Sequence, residues 1–249
     1  NELYLWNPLP FELKTIKKVK LSTIGPDFLL INHLGERARF ELLDQKRENA
    51  ALLRRNLSDM LDESYYVSEI AIECTLPPMS YLCYKLIDKL ENTKKLTSAL
   101  EIENNYYKIK FEKGKFKLKQ KETNKTYNNF LYFEDGGDEG DTYDYSPAFE
   151  DWILNLDFKE CKAVKIEQGD LISRIIVNGK WKLPYSLDDR KIKKLSGEVD
   201  YKLRLELNSL NNRIDVVLKL DNDALDHRLR LILQTNIGSK AVSLVDTFD

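Results

Sequence analysis

Residues 197–220 read GEVDYKLRLELNSLNNRIDVVLKL and contain two runs in which apolar and polar side chains alternate. The apolar members of the first run are Val199, Tyr201, Leu203, Leu205 and Leu207. Those of the second run, after the turn-rich segment NSLNN, are Ile214, Val216, Leu218 and Leu220. A period of two residues places these side chains on one face of an extended strand. The runs therefore predict two strands of an antiparallel sheet, each with one dry and one wet face.

The same pattern recurs elsewhere in the chain. Residues 227–233 alternate again, and residues 107–118 are typical of a hairpin with Gly114 in its turn. The segment VNGKWKL at 177–183 carries an Asn-Gly pair, which is the strongest short signal for a hairpin turn. Many strands separated by turns predict an all-β protein of the sandwich or barrel type.

One segment departs from this period. Within residues 44–63, DQKRENAALLRRNLSDMLDE, apolar side chains recur at the spacing of a helical face. We therefore expect one amphipathic helix near residues 46–61. The polar stretch NTKKLT at 92–97 lacks alternation, and we place a domain boundary near it. This gives a first domain over residues 1–92 and a second over residues 93–249.

Composition excludes several classes of partner. The 249 residues include 39 Lys and Arg against 41 Asp and Glu, a formal net charge of −2. This balance argues against nucleic acid or an anionic membrane surface as the main partner. No run approaches about 18 consecutive apolar residues, so no membrane-spanning helix is expected. Asn1–Trp6 does not have the pattern of a signal peptide.

Cysteine and histidine are scarce. Cys74, Cys83 and Cys161 are odd in number and widely spaced, which is not a disulfide framework. We expect them to be small apolar residues in a reducing, cytoplasmic compartment. His33 and His227 lie far apart, and neither an HExxH nor a CxxC motif occurs. We therefore expect no zinc or iron site rich in histidine and cysteine, and no cofactor, in this chain.

The most informative segment is FEDGGDEGDTYDYSP at residues 133–147. It holds six carboxylates within eleven positions: Glu134, Asp135, Asp138, Glu139, Asp141 and Asp144. Its glycines relax the backbone, and Pro147 ends it. Because so many unpaired charges could not be desolvated, we expect the run to be a loop and not a buried strand.

Three interpretations fit such a loop. Carboxylates in a glycine-bent loop suit calcium, although an EF-hand register from Asp135 places glycine third and Ser146 twelfth. Carboxylates also accept paired hydrogen bonds from sugar hydroxyls, and Tyr143 and Tyr145 offer flat faces to a pyranose. The third interpretation is a solvated, ordered loop held by neighbouring lysines and arginines.

The string GGDEGDTYDYSP at 136–147 resembles the signature loop of bacterial α-mannosidases of glycoside hydrolase family 38, whose relatives include 2-O-mannosylglycerate hydrolases. Further segments agree in order: WNPLPFE at 6–12, LRRNL at 53–57, LPPMSYLCYKL at 76–86, DHRLRLIL at 226–233 and DTFD at 246–249. The family more often has glycine where Leu82 stands. The resemblance covers nearly the whole chain but only the C-terminal part of the family's architecture.

The resemblance implies a small β-sandwich followed by part of a large supersandwich of the galactose-mutarotase type. It also implies a retaining parent enzyme whose N-terminal α/β domain holds zinc, an aspartate nucleophile and an acid/base carboxylate. None of these is expected in this chain. We therefore expect an excised fragment, inactive alone, whose partner is the parent's catalytic domain.

The resemblance further implies that the acidic loop lines the substrate site for an α-mannoside. The candidate substrate-binding residues are Asp138, Glu139, Asp141, Tyr143 and Tyr145. No catalytic or metal-binding residue is assigned. The alternative is a stand-alone carbohydrate-binding module of the β-sandwich type without a hydrolytic parent.

Overall fold

The computed structural model describes residues 2–49, 64–88, 93–141 and 143–238. Over these ranges the regular structure is almost entirely β, with eighteen strands and one five-residue helix. The all-β prediction is therefore confirmed. No helix in these ranges is long and apolar enough to cross a membrane.

The elements in chain order are β1 (Glu2–Asn7), β2 (Leu13–Thr23), β3 (Phe28–Asn32), β4 (Phe40–Asn49), β5 (Ser64–Leu76), β6 (Ser80–Asp88), β7 (Thr97–Ser98), β8 (Glu101–Glu103), β9 (Tyr107–Glu112), β10 (Lys115–Gln120), β11 (Thr126–Tyr127), β12 (Leu131–Gly137), β13 (Leu154–Leu156), β14 (Cys161–Gln168), β15 (Ile172–Leu183), α1 (Leu187–Lys191), β16 (Gly197–Asn208), β17 (Ile214–Asn222) and β18 (His227–Leu233). The sheet orders are β1-β6-β3, β2-β5-β4, β11-β10-β9-β8, β13-β12-β18 and β17-β16-β15-β14-β7.

The chain divides into two compact units. Unit 1 comprises residues 1–106, 165–176 and 204–217, and unit 2 comprises residues 107–164, 177–203 and 218–249. This division follows spatial contacts and does not test the domain boundary near 92–98, which stays a prediction.

Unit 1 contains a β-sandwich core formed by the sheets β1-β6-β3 and β2-β5-β4. Both sheets contribute side chains to one apolar cluster, which contains Leu5, Phe28, Leu30, Leu42, Ile70, Ile72, Cys74, Leu76 and Tyr84. The long strand β5 pairs antiparallel with β2 on one side and β4 on the other. Burial also raises the pKa of the Cys74 thiol, as expected for a cysteine inside an apolar core.

The WNPLPFE segment owes its shape to one buried amide. Asn7 is fully buried, and its Nδ2 lies 2.9 Å from Phe11 O, 3.1 Å from Leu76 O and 2.8 Å from Pro77 O. Its Oδ1 accepts a hydrogen bond from Leu9 N at 3.1 Å. A single side chain therefore hydrogen-bonds to the main chain of two segments that are far apart in sequence, residues 9–11 and residues 76–77.

Unit 2 has an aromatic core centred on Phe158. Its rings are those of Phe111, Phe116, Phe130, Phe133, Phe158, Trp181 and Tyr201. Trp181 stacks on Tyr201 with ring centroids 4.2 Å apart, and its Nε1 donates to Asp157 O at 2.8 Å. The buried indole thus has a partner for its only polar atom.

The hairpin predicted at 107–118 is confirmed. Strands β9 and β10 pair antiparallel around Lys113 and Gly114, whose φ angles are 51° and 73°. Two consecutive positive φ angles are those of a tight hairpin turn. A Cβ at Gly114 would also lie 2.4 Å from Lys159 N, so close approach of the backbone adds a second requirement for glycine.

The hairpin predicted from the Asn-Gly pair at 177–183 is wrong, because β15 runs without a turn from Ile172 to Leu183. Gly179 is required in this strand for a steric reason. A Cβ there would lie 2.6 Å from the hydroxyl oxygen of Tyr201. The glycine makes room for the core tyrosine.

The helix predicted near 46–61 is wrong over its first four residues. Lys46 to Asn49 continue β4 and pair with Val67 to Ser64 of β5. Pairing with a long neighbouring strand overrides the helical spacing there. Residues 50–61 lie outside the described residues.

Alternation correctly predicts that β17 is a strand. It is wrong in predicting that the apolar face of this strand is buried. Val199, Tyr201 and Leu203 in β16 are buried, whereas Val216 and Leu220 of β17 are 36% and 42% exposed. Because β17 is the edge strand of its sheet, it has a neighbouring strand on one side only. No described residue buries those two side chains.

We expect Asn7→Ala to lower the free energy of unfolding by about 2 kcal/mol, because it leaves buried carbonyl oxygens without their donor. Asn7→Asp keeps the shape but places a carboxylate against those carbonyls, so it should cost more at pH 7 than at pH 3. Urea unfolding followed by fluorescence measures both. Asn212→Ala, at an exposed turn, is the control. An Asn7→Asp variant as stable as the wild type at pH 7 would contradict this account.

Candidate functional site

The acidic segment begins inside a strand. The expectation that this run is entirely a loop is wrong, because β12 continues through Gly137 and fully buries Asp135. Leu131, Phe133 and Asp135 alternate on the inward face of that strand. Burial of the carboxylate is possible because it has charged and polar partners.

Two side chains contact the Asp135 carboxylate, one at each of its oxygens. Arg190 Nη2 donates to Asp135 Oδ2 at 2.5 Å, and His227 Nδ1 lies 2.5 Å from Asp135 Oδ1. Arg190 is itself buried, and its Nη1 donates to Trp152 O at 2.7 Å and lies 3.6 Å from Asp151 Oδ1. We call Asp135, Arg190 and His227 the buried ion cluster.

The short helix α1 delivers Arg190 to this position. Ser186 caps it by accepting from Asp189 N at 3.4 Å, and Arg190 lies in its last turn. The guanidinium then passes close to β12, where a Cβ at Gly137 would lie 3.1 Å from Arg190 Cδ. A glycine at this strand position lets the arginine side chain pass.

Beyond the cluster, the acidic loop closes on itself. Asp138 and Pro147 form a bridge at its base, and Glu139 N donates to Ser146 O at 2.7 Å. Asp138 Oδ1 accepts from Gly140 N at 2.9 Å and from Ser146 N at 3.1 Å. This carboxylate therefore adds a side-chain acceptor to the backbone pairing at the base of the loop.

Asp141 repeats this arrangement at the tip. Its Oδ1 accepts from Tyr143 N at 2.8 Å and from Asp144 N at 3.0 Å, and these bonds hold the pKa of Asp141 below its usual value. Gly140 lies so close to the returning chain that a Cβ would be 1.8 Å from Asp144 O. The loop has a defined shape that requires both residues.

The candidate residues therefore divide into two groups. Asp138 and Asp141 accept hydrogen bonds from the loop's own backbone, whereas Glu139 and Tyr143 point outward, with Tyr143 92% exposed. Within the described ranges, neither outward side chain has a partner. Tyr145 belongs to neither group. Its ring is partly exposed, but Arg228 Cζ lies 4.1 Å from the ring centre in a cation–π contact.

Sequence reasoning missed Arg190 and undervalued His227 and Asp135. A signal for Asp135 exists, since it continues the alternation of Leu131 and Phe133. Arg190 follows two aspartates in SLDDRK, which is typical of an exposed helical turn, so its burial has no local signal. The described part of the chain contains no group of three or more His, Cys, Asp or Glu side chains that could hold a metal ion.

Comparison with known proteins agrees with this architecture. A family model described as glycosyl hydrolases family 38 C-terminal domain matches residues 102–248. An α-mannosidase structure from Enterococcus faecalis V583 is similar at 16% identity and a TM-score of 0.65, over 96% of this chain and 32% of that one. A family 38 glycosyl hydrolase structure from Enterococcus faecalis is similar at 16% identity and a TM-score of 0.63, over 92% and 32%.

At this identity the two structures show a shared fold. The present chain spans about a third of their length. No curated protein matches it.

We expect Asp135→Asn to lower the free energy of unfolding by about 3 kcal/mol, because it leaves a buried guanidinium without its carboxylate. Glu134→Gln is the matched control, since Glu134 lies one residue away and pairs with Arg230 on the opposite, partly exposed face. It should cost less than about 1 kcal/mol. Equal effects of the two variants in urea unfolding would contradict a special role for the cluster.

The turn at Asp141 should depend on pH with a defined sign. Because its pKa is lowered in the folded loop, its stabilisation is complete above the ordinary aspartate value of about 3.9 and is lost as pH falls through the lowered pKa. The amide resonance of Tyr143, which donates to Asp141, should titrate with a midpoint below that value. Asp141→Asn keeps an acceptor oxygen and should abolish the titration. A midpoint at or above about 3.9 would contradict the assignment.

Proposed function

Since the chain belongs to glycosyl hydrolase family 38 and carries that family's C-terminal domain, we propose that it is the C-terminal part of a retaining, zinc-dependent α-mannosidase that acts on α-mannosides. In this proposal the acidic loop contributes Glu139 and Tyr143 to the substrate site. The chain alone is inactive, because the catalytic carboxylates belong to a preceding domain.

The observation that carries the proposal is the contrast between the base and tip of the loop. At the base, the buried Asp135 carboxylate is paired with Arg190 and His227, and the Asp138 carboxylate accepts hydrogen bonds from the loop's backbone. At the tip, Glu139 and Tyr143 are exposed on a backbone held by its own hydrogen bonds. A fixed backbone that presents an acceptor carboxylate and a flat ring suits hydroxyl-rich ligands.

We further propose that zinc binds to the parent's catalytic domain and not to this chain. The described residues do not fit a zinc site, since they bring together no group of three suitable side chains. The chain's own contribution is to position groups around the sugar.

An aromatic surface on unit 1 supports a neighbouring domain as partner. Tyr4, Trp6, Phe11, Met79 and Tyr81 are each more than half exposed, and Tyr4 and Tyr81 have ring centroids 5.8 Å apart. Trp6 and Tyr81 are directly opposite on β1 and β6. Exposed apolar side chains that cluster in this way mark interaction sites, and we assign the Tyr4, Trp6 and Tyr81 cluster to contact with the parent's catalytic domain.

The loop is tested with Tyr143→Ala in the full-length enzyme. We expect kcat/KM on an α-mannoside to fall about tenfold or more, which is at least about 1.4 kcal/mol of transition-state binding. Tyr143 makes no described side-chain contact within the chain, so the variant should fold normally. Leu100→Ala, 83% exposed in unit 1, is the control and should stay within twofold. Unchanged kcat/KM for Tyr143→Ala would overturn the substrate role of the tip.

A further inference from the structure

A second polar feature of unit 2 lies at the opposite end of β12 from the acidic loop. It is a cleft of about 390 Å³, open to solvent and lined in part by Tyr132. That volume falls within the usual range of ligand pockets, about 300–1,000 Å³. Tyr132 precedes Asp138 by six residues, or about 20 Å along an extended strand.

Main-chain hydrogen bonds fix the walls of this cleft. Phe158 N donates to Gly114 O at 3.2 Å, which holds the β9-β10 turn beside the segment after β13. Phe130 N donates to Phe116 O at 3.1 Å, and Gln234 N donates to Phe130 O at 2.9 Å. These hydrogen bonds fix the positions of the segments that carry the lining residues.

The floor of the cleft is apolar and partly aromatic. Tyr132 on β12 is directly opposite Ile232 on β18, and both are half-buried. Leu131 and Phe133, the chain neighbours of Tyr132, point into the core, so Tyr132 and the residue opposite it, Ile232, lie on the outward face. A phenol ring beside an aliphatic side chain forms a platform for the apolar face of a flat ligand.

The rim carries polar groups without partners. Asn129, Asn155, Gln234 and Tyr132, whose side chains end in carboxamides and a hydroxyl, are among the lining residues. None of these carboxamide and hydroxyl groups hydrogen-bonds to another group in the described residues. Lys115, also on the rim, has no ion-pair partner there, whereas Lys159 is paired with Asp157 at 2.6 Å.

The chemistry of the rim distinguishes between ligand classes. A carboxamide both donates and accepts, as a sugar hydroxyl does, so three of them match a polyhydroxylated ring. An anion only accepts and would leave three carboxamide oxygens unused. Lys159 is paired with Asp157, so the cleft offers an anion only the ammonium group of Lys115. We therefore do not expect an anion to bind strongly.

We propose that this cleft is a saccharide-binding subsite, in which a sugar ring stacks on Tyr132 and its hydroxyls bond to Asn129, Asn155 and Gln234. The inference does not depend on the acidic loop or on catalysis. It assigns carbohydrate recognition to the outer face of the sheet β13-β12-β18.

The test uses the δ1-methyl NMR signal of Ile232 in the methyl-labelled full-length protein, assigned by its loss in Ile232→Leu. An S-linked α-mannobiose that resists hydrolysis, maltose, cellobiose and lactose are titrated separately. We expect at least one to shift the signal saturably. The double variant N155A/Q234A should weaken the Kd about tenfold or more, because two hydroxyl partners are lost. The control N128A/N212A, which removes exposed amides outside the cleft, should leave it unchanged.

Absence of a saturable shift with all four sugars would overturn the proposal, as would an equal Kd in the wild type and N155A/Q234A. A shift with inorganic phosphate and with no sugar would overturn it in favour of an anion site. An unchanged signal from the core residue Ile109 verifies that each variant is folded. Turnover by Tyr143→Ala is a separate readout, so failure of one proposal is distinguishable from failure of the other.

Discussion

The pairing of Asp135 with Arg190 and His227 is the interaction on which the geometry of the acidic loop depends. Two residues after Asp135 the strand ends, and three residues after it the loop begins. A buried carboxylate at this point is tolerable only with complete pairing, because removing one partner strands a charge in a low-dielectric interior. The cluster therefore links the end of β12 to α1 and to β18.

The loop shows how carboxylates can serve as main-chain partners. In a sheet, the N–H groups of residues 140, 143, 144 and 146 would be satisfied by a neighbouring strand. Here two aspartate side chains accept from all four. The two aspartate side chains thereby order a segment that has no adjacent strand. The close approach of Gly140 to the returning chain is the second feature that the turn requires.

Sequence reasoning was accurate where a local pattern also determines the structure. Alternation at 199–207 matches the burial of β16, and the turn at Gly114 was correctly located. The family resemblance is confirmed by the match over residues 102–248. The errors arise from distant partners: β5 holds residues 46–49 as strand, and Tyr201 explains Gly179 better than a turn does.

The candidate site shows the same limit more sharply. Composition located the loop, and the family resemblance named Glu139 and Tyr143 among its candidate residues. Neither could separate these two from Asp138 and Asp141, whose hydrogen bonds are internal to the loop. Arg190 lies 55 residues from Asp135 in sequence, and no periodicity connects them. Pairing of charges across such a separation is a property of the folded chain. Contacts in the structure are therefore needed to distinguish polar residues that build the site from those that remain available for a ligand.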